Sequence, residues 1–512
     1  MKGRIAVLAL FLAATPAVAD DQPQFGQRFT RNMVSTETGL PESFDPATGA
    51  NVKWVAPLGT HSYATPVIAG GRVYLGTNNE RPRDPRHKGD RAVLMCFDEE
   101  DGNLLWQLVI PKLSEDLKDP FLDWKQIGFC SPPTVEGDRA YTLTNRGEIV
   151  CLDVRGMANG NDGPYRDEAA HMAPRGHAPI EPGQLDGDIV WLTDLVKLFG
   201  VRTHDQVHGS ILIDGDYLYV NSCNGVDNTH RHVPSPDAPS LVVLDKRTGK
   251  VVARDPLRIG PRIFHCTWSS PSLGEVNGRR LIFFGGPDGV VYAFEALAPG
   301  AAPSEGEVTK LTEVFRFDTD PTAPKDQVHR FVGNRRESPS EILGMPVFVS
   351  GEGERPPRLY VTHGGDLWWG KRKGWLKCID PIREGDATGK ALVWSYELSR
   401  EVCSTPSVHD GLVFVTDVGG TIHCVDAKTG QPYWTHKCDG EFWASTLVAD
   451  GKVYVGTRRG QFVVLAASKE NRLLGEVNLG AAEPNQISGT VAAANGVLYV
   501  PTMSRLFALK GR

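Results

Sequence analysis

The residues best suited to chemistry lie near the middle of the chain. His204 and His208 flank Asp205, and Asp227, Asn228, Thr229, His230, Arg231 and His232 form a second polar run soon after. Neutral imidazole and carboxylate together ligate transition metals, so His204, His208 and Asp227 are candidate ligands of one ion. The competing reading is a set of hydrogen-bonded loop histidines, because a histidine pair four residues apart shares a face only on a helix and this segment leads into a strand. A third run, residues 363–373, sets Trp368 and Trp369 among glycines beside Lys371 and Arg372. Trp and Arg anchor many interfaces. These four residues, with His230 and His232, are candidate partner contacts, although packing of one Trp beside solvated charge gives the same pattern. Arg335 and Arg336, with His208, are candidates for holding an anionic cofactor.

Such side chains need a scaffold, and its unit is clearest over residues 403–434. Three runs rich in Val, Ile, Phe and Tyr are separated by His409-Asp410-Gly411, Gly419-Gly420 and Asp426-Ala427-Lys428-Thr429-Gly430, the pattern of four short antiparallel strands joined by tight turns. With Pro406 as anchor, copies begin at Pro66, Pro133, Ser210, Pro271, Pro346, Thr446 and Val491. A sheet of about 40 residues cannot bury both faces alone, and radial stacking of such units is the usual solution. The spacing predicts an all-β chain, an eight-bladed β-propeller of four-stranded antiparallel blades. The last copy stops after its third strand, so residues 51–58 are expected to complete it against residues around 505–509, closing the ring and removing an exposed edge.

The run Asp426-Ala427-Lys428-Thr429-Gly430-Gln431-Pro432-Tyr433-Trp434 resembles the repeat of pyrroloquinoline-quinone (PQQ) type propellers, whose blades carry A-x-D-x-x-T-G-x-x-x-W; weaker copies lead to Trp54, Trp106 and Trp394. The resemblance covers nearly the whole mature chain. It implies the fold, and it covers both quinoprotein dehydrogenases and non-catalytic scaffolds such as the BamB-like component of outer-membrane assembly. For the dehydrogenases it implies a planar quinone near the axis, a Ca²⁺ held by carboxylate and amide oxygens, a catalytic Asp and, in many members, a Cys-Cys pair. This sequence has neither Cys-Cys nor the haem motif C-x-x-C-H. The reading adopted from sequence is therefore a non-catalytic binding or scaffold protein, in envelope protein assembly and without a cofactor. The alternative is a PQQ-dependent dehydrogenase of alcohols or sugars that uses PQQ with calcium.

Lys2 and Arg4, an apolar run and Ala17-Val18-Ala19 read as a secretory signal peptide over residues 1–19, followed by an extended arm over 20–44 and one propeller over 45–512. The expected protein is exported, periplasmic or secreted, monomeric, and without a transmembrane segment. A balance of Lys+Arg 55 against Asp+Glu 62 and the absence of a long basic run exclude a nucleic-acid footprint. Of the nine cysteines, Cys96, Cys151, Cys378 and Cys424 share one repeat position and read as small core fillers, with disulfides the other reading.

Strand alternation places the long connections 78–91, 111–129, 193–207, 226–240, 319–343 and 363–374 on one face, where a protein partner or small ligand is expected to bind. Two further expectations concern detail. A short helix is expected over 191–199. The small residues two before each anchor (Ala64, Ser131, His208, Ser269, Gly344, Ser404, Ala444 and Gly489) are assigned to the channel wall, and the set one earlier, with Trp268 and Trp443, to the space between blades.

Overall fold

A computed structural model describes residues 20–113, 118–300 and 308–511; the expected signal peptide lies outside them. Eight small antiparallel sheets follow one another around a ring. In the sixth blade the strands Ser407–His409, Leu412–Asp417, Thr421–Asp426 and Pro432–Lys437 pair in sequence order. The third and fourth blades gain a short fifth strand, Thr309–Lys310 and Gly385–Asp386, paired in parallel. Val52–Pro57 pairs antiparallel with Arg505–Leu509, from Val52 opposite Leu509 to Pro57 opposite Arg505, so the ring closes as the incomplete last repeat requires.

One cross-strand row explains much of the repeat. Ser407, Phe414, Cys424 and Trp434 lie side by side across the sixth blade, and Val67, Tyr74, Cys96 and Trp106 form the same row in the first. The two aromatic rings flank the cysteine and approach to 5.9 Å and 6.0 Å. A small apolar residue must stand between them, and the thiol supplies it. Cys96, Cys151, Cys378 and Cys424 are all buried free thiols.

Outer-strand tryptophans, where present, dock a blade onto its neighbour. The Trp394 indole donates to the Ala427 carbonyl (3.0 Å), Trp434 to Ser468 (2.9 Å) and Trp54 to Glu99 (3.0 Å). Trp394 lies over the Asp-x-x-Thr-Gly turn of the next blade, where Asp426 accepts from the Lys428 and Thr429 amides. Gly430 ends this turn at φ +71°, and a Cβ there would lie 2.6 Å from the Trp394 ring. The motif thus needs glycine for two reasons, backbone hand and ring contact. Blade seven has Gly475 in place of the tryptophan, and the chain at Glu42 fills the space beside it, with Phe44 packed between Phe462 and Phe507.

Residues 22–35 coil around the inside of the ring. The inner strand of every blade has a free edge toward the axis, and the arm supplies acceptors to six of them. Carbonyls of Gln22, Pro23, Phe29, Thr30 and Met33 accept from the amides of Ile68, Val135, Leu273, Phe348 and Val448, and the Asn32 side chain accepts from the Val408 amide and donates to its carbonyl. Arg31 turns inward, fully buried, and donates to the carbonyls of Phe25, Ser210 and Pro271 and to the Ser210 hydroxyl.

The helix expected over 191–199 is shorter. Ile189–Asp194 is the outer strand of blade two and Leu195–Phe199 the helix, because Trp191 is claimed by blade docking (Lys246 carbonyl, 3.2 Å), and Asp194 caps the Lys197 amide. No described helix is long and apolar enough to cross a membrane.

Two truncations separate closure from sealing. Removal of residues 20–44 deletes the seven hydrogen bonds to inner strands named above, each worth roughly 0.5–1.5 kcal/mol net, and is expected to lower the melting temperature by several degrees while leaving a folded ring. Removal of residues 20–58 also bares the edge of Arg505–Leu509 and is expected to cause aggregation. Thermal melts and light scattering check both, and a 20–58 truncation that melts as the full chain does would exclude closure as a source of stability.

Candidate ligand cavity and histidine cluster

Above the arm, the channel mouth widens into a cavity of about 610 Å³. Its wall consists of the residues three before and one before each inner strand's anchor: Tyr63, Cys130, Trp268, Leu343, Cys403, Trp443 and Ser488 in one ring, Thr65, Pro132, Ser270, Met345, Thr405, Ser445 and Thr490 in the other. This corrects the assignment made from sequence. The alternation holds but the faces are exchanged, because blades converge at the axis and the tight space lies between them. A Cβ on Gly344 would meet the Ser404 carbonyl at 2.6 Å, and the Ser269 hydroxyl donates across to the Gly344 carbonyl (2.8 Å). Blade three is offset by one residue, since its inner strand begins at Leu212. His208 therefore belongs with the large residues and lines the cavity, beside Trp268 at 4.9 Å between rings.

Three insertions converge at one side of this mouth. His204 from 193–207, His230 from 226–240 and His265 from the connection into blade four place ligand-type nitrogens within 4.8 Å of one another, all buried. His204 Nδ1 donates to the Val226 carbonyl (2.9 Å), which leaves Nε2 facing His230 Nε2 at 3.0 Å. His265 Nδ1 stands 3.0 Å from Asp366, and its Nε2 3.4 Å from Asp205. Phe121 stacks on His204, Trp369 lies against His230 and Trp368 against His265. Burial and the neighbouring imidazoles hold His204 down to about 3. Burial opposes charging His265, but Asp366 and Asp205 outweigh it and raise its pKa well above the usual imidazole value.

The residues singled out from sequence divide accordingly. His204 and His230 enter the cluster. Asp227 does not: its carboxylate accepts from the Thr229 amide and hydroxyl, shaping its own loop. His208 also stands outside the cluster, and His232 is exposed. Trp368 and Trp369, 40% and 37% exposed, roof the cavity. Lys371 is 6% exposed and paired with Asp320 at 2.6 Å, so it is not an exposed partner contact; Arg372 is exposed. Arg335 pairs with the buried Glu401 (2.7 Å), and neither it nor the exposed Arg336 lines the cavity. Lys371 and Arg335 are thus held by carboxylates, and Lys125 is the one Lys or Arg lining the cavity among the described residues. His265 was missed from sequence because it stands apart from the other histidines, in Ile263-Phe264-His265-Cys266, with no motif around it.

Ring, docking motif and channel-mouth cavity define a PQQ-type eight-bladed propeller. The chain belongs to the PQQ_2 family, described as outer membrane protein assembly factor BamB, whose model matches residues 30–156 and 372–512. Among curated proteins, 1-butanol dehydrogenase (cytochrome c) of Thauera butanivorans is 30% identical over 164 residues, 29% of this chain and 23% of that protein; the match spans less than a quarter of the relative's length. Among solved structures, quinohemoprotein alcohol dehydrogenase of Comamonas testosteroni aligns with TM-score 0.61 at 12% identity, over 96% of this chain and 81% of its own. BamB of Moraxella catarrhalis aligns with TM-score 0.50 at 13% identity, over 89% and 96%. These likenesses show the fold.

Burial holds the His208 imidazole down to about 4. Below about pH 6.5 an unfolded chain protonates this histidine while the folded protein does not. The stability it contributes is complete above about 6.5 and is lost as pH falls toward 4. His208→Gln is expected to lose less unfolding free energy than the parent between about pH 7.5 and pH 5, measured by denaturant titration. Equal losses would show that His208 is charged without cost in the fold.

Proposed function

We propose that the protein binds a small, planar, largely uncharged molecule in the channel-mouth cavity, as a binding protein rather than as a quinone enzyme. The observation that carries this reading is the cavity itself, walled by Tyr63, Trp268, Trp368 and Trp443 and reached from below by Phe25 of the arm. Concave, mostly apolar sites of this size with a few polar groups suit small ligands, and rigid aromatic faces favour flat ones. Membership of a family described as an assembly factor supports a binding role, and the leader-like residues 1–19 support action after export.

The partial similarity to dehydrogenases favours PQQ with calcium as a second reading, and the cavity's side chains test it. The aromatic walls suit a planar quinone. The charges do not suit one bearing several carboxylates: Lys125 stands among the described lining residues with Asp205 and Glu483. Calcium takes oxygen ligands, whereas the donors gathered here are imidazoles. The residues present do not fit that pair of cofactors.

Quenching of tryptophan fluorescence by naphthoquinone, flavone and indole tests the proposal. At least one of these is expected to bind. Trp443→Leu is expected to weaken that binding by up to about tenfold, the worth of one aromatic face at about 0.5–1.5 kcal/mol, with an unchanged melt. Titration with PQQ and Ca²⁺ is expected to give weak binding and no dye reduction with alcohols; micromolar binding with turnover would replace this reading by the second.

A further inference from the structure

We propose that His204, His230 and His265, with Asp205, form a binding site for one divalent transition-metal ion at the edge of the cavity. Three imidazole nitrogens and one carboxylate select ions of the Zn²⁺, Co²⁺ or Cu²⁺ kind over Ca²⁺ and Mg²⁺. Metal–nitrogen distances of roughly 2.0–2.1 Å in a tetrahedron put ligand atoms about 3.3 Å apart. The cluster has this scale before any ion is added: 3.0 Å between His204 Nε2 and His230 Nε2, 3.4 Å between His265 Nε2 and Asp205 Oδ2, and 3.7 Å between His204 Nε2 and Asp205 Oδ1.

The surrounding groups orient these atoms as ligands. The Val226 carbonyl takes the Nδ1 proton of His204, which leaves the Nε2 lone pair facing the cluster. Asp366 stands at Nδ1 of His265 and is itself held by the amides of Trp368 and Trp369, the carboxylate–histidine arrangement that sets ring orientation in metal sites. His265 Nε2 is buried, faces the cluster and makes no hydrogen bond. A buried ring nitrogen whose one close contact is Asp205 at 3.4 Å is poorly satisfied, and a cation bound between the two relieves it. The Asp205 amide and carbonyl are fixed by Phe121 and Trp124 (2.6 and 2.5 Å). Because Asp205 and His230 also line the cavity, an ion here is within reach of a donor atom on a bound ligand.

The test uses untagged full-length protein, stripped with a chelator and titrated with Co²⁺ and Zn²⁺. One ion per chain is expected, with a raised melting temperature and, for Co²⁺, the intense visible absorption of a four- or five-coordinate nitrogen and oxygen site. His230→Ala is expected to weaken binding at least 100-fold and Asp366→Asn about 10–100-fold, while His232→Ala binds as the parent does. Absence of a bound ion, or a weak six-coordinate Co²⁺ spectrum in the parent, would overturn the site even if the variants misfold. So would binding that His230→Ala leaves unchanged, which would place the ion elsewhere.

Discussion

Everything near the axis depends on satisfying the free edges of eight inner strands. Each blade ends there in a three- to five-residue strand, such as Val67–Ala69 or Ser407–His409, with backbone donors that face no neighbouring strand. An open channel would leave them to water, and a sealed one must supply partners. The arm supplies them in ring order, and because a single extended chain has acceptors on both sides, one pass serves successive blades. Arg31 completes the seal: its donors go to Phe25, Ser210 and Pro271 rather than to a carboxylate. Burial brings its pKa down to about 9, still above neutrality, so a positive charge lies beneath the cavity.

The same constraint explains what could be read in the sequence. Blade architecture was legible because it is written in repeated local chemistry: the Asp-x-x-Thr-Gly turn, the docking tryptophan and the aromatic–Cys–Trp row each recur at fixed offsets. Ring closure was legible as an arithmetic gap, three strands in the last copy and one spare strand at Val52–Pro57. The arm's path was not, since residues 22–33 bond to the inner strands of six blades and carry no periodicity of their own. The channel wall was misassigned for a physical reason. Small residues mark the tightest contact, and in a wedge-shaped blade that contact is with the next blade, as Gly344 and Ser404 show.

The site was half legible. His204 and His230 stand in polar runs that invite attention, whereas His265 and Asp366 come from separate connections and meet them only through the ring. Asp227 misled because an acidic residue in a histidine-rich loop has a commoner use, capping its own turn through Thr229. Likewise Lys371 and Arg335 looked like free surface cations, but buried or half-buried basic groups on a folded loop are usually matched by carboxylates, here Asp320 and Glu401.

That matching bears on what the mouth can hold. With Lys371, Arg335 and also Lys112, which pairs with the buried Asp123 at 2.6 Å, committed to holding loops in place, the cavity retains aromatic faces, thiols, hydroxyls and imidazoles, with Lys125 set against Asp205 and Glu483. Freeing Lys112 or Lys371 for an anionic ligand would leave a largely buried carboxylate without its cation, at a cost of about 3–5 kcal/mol for a broken buried pair. An anion with several charges would have to recover that cost more than once. A flat neutral molecule requires no such rearrangement, which is the charge argument for an uncharged occupant of the mouth.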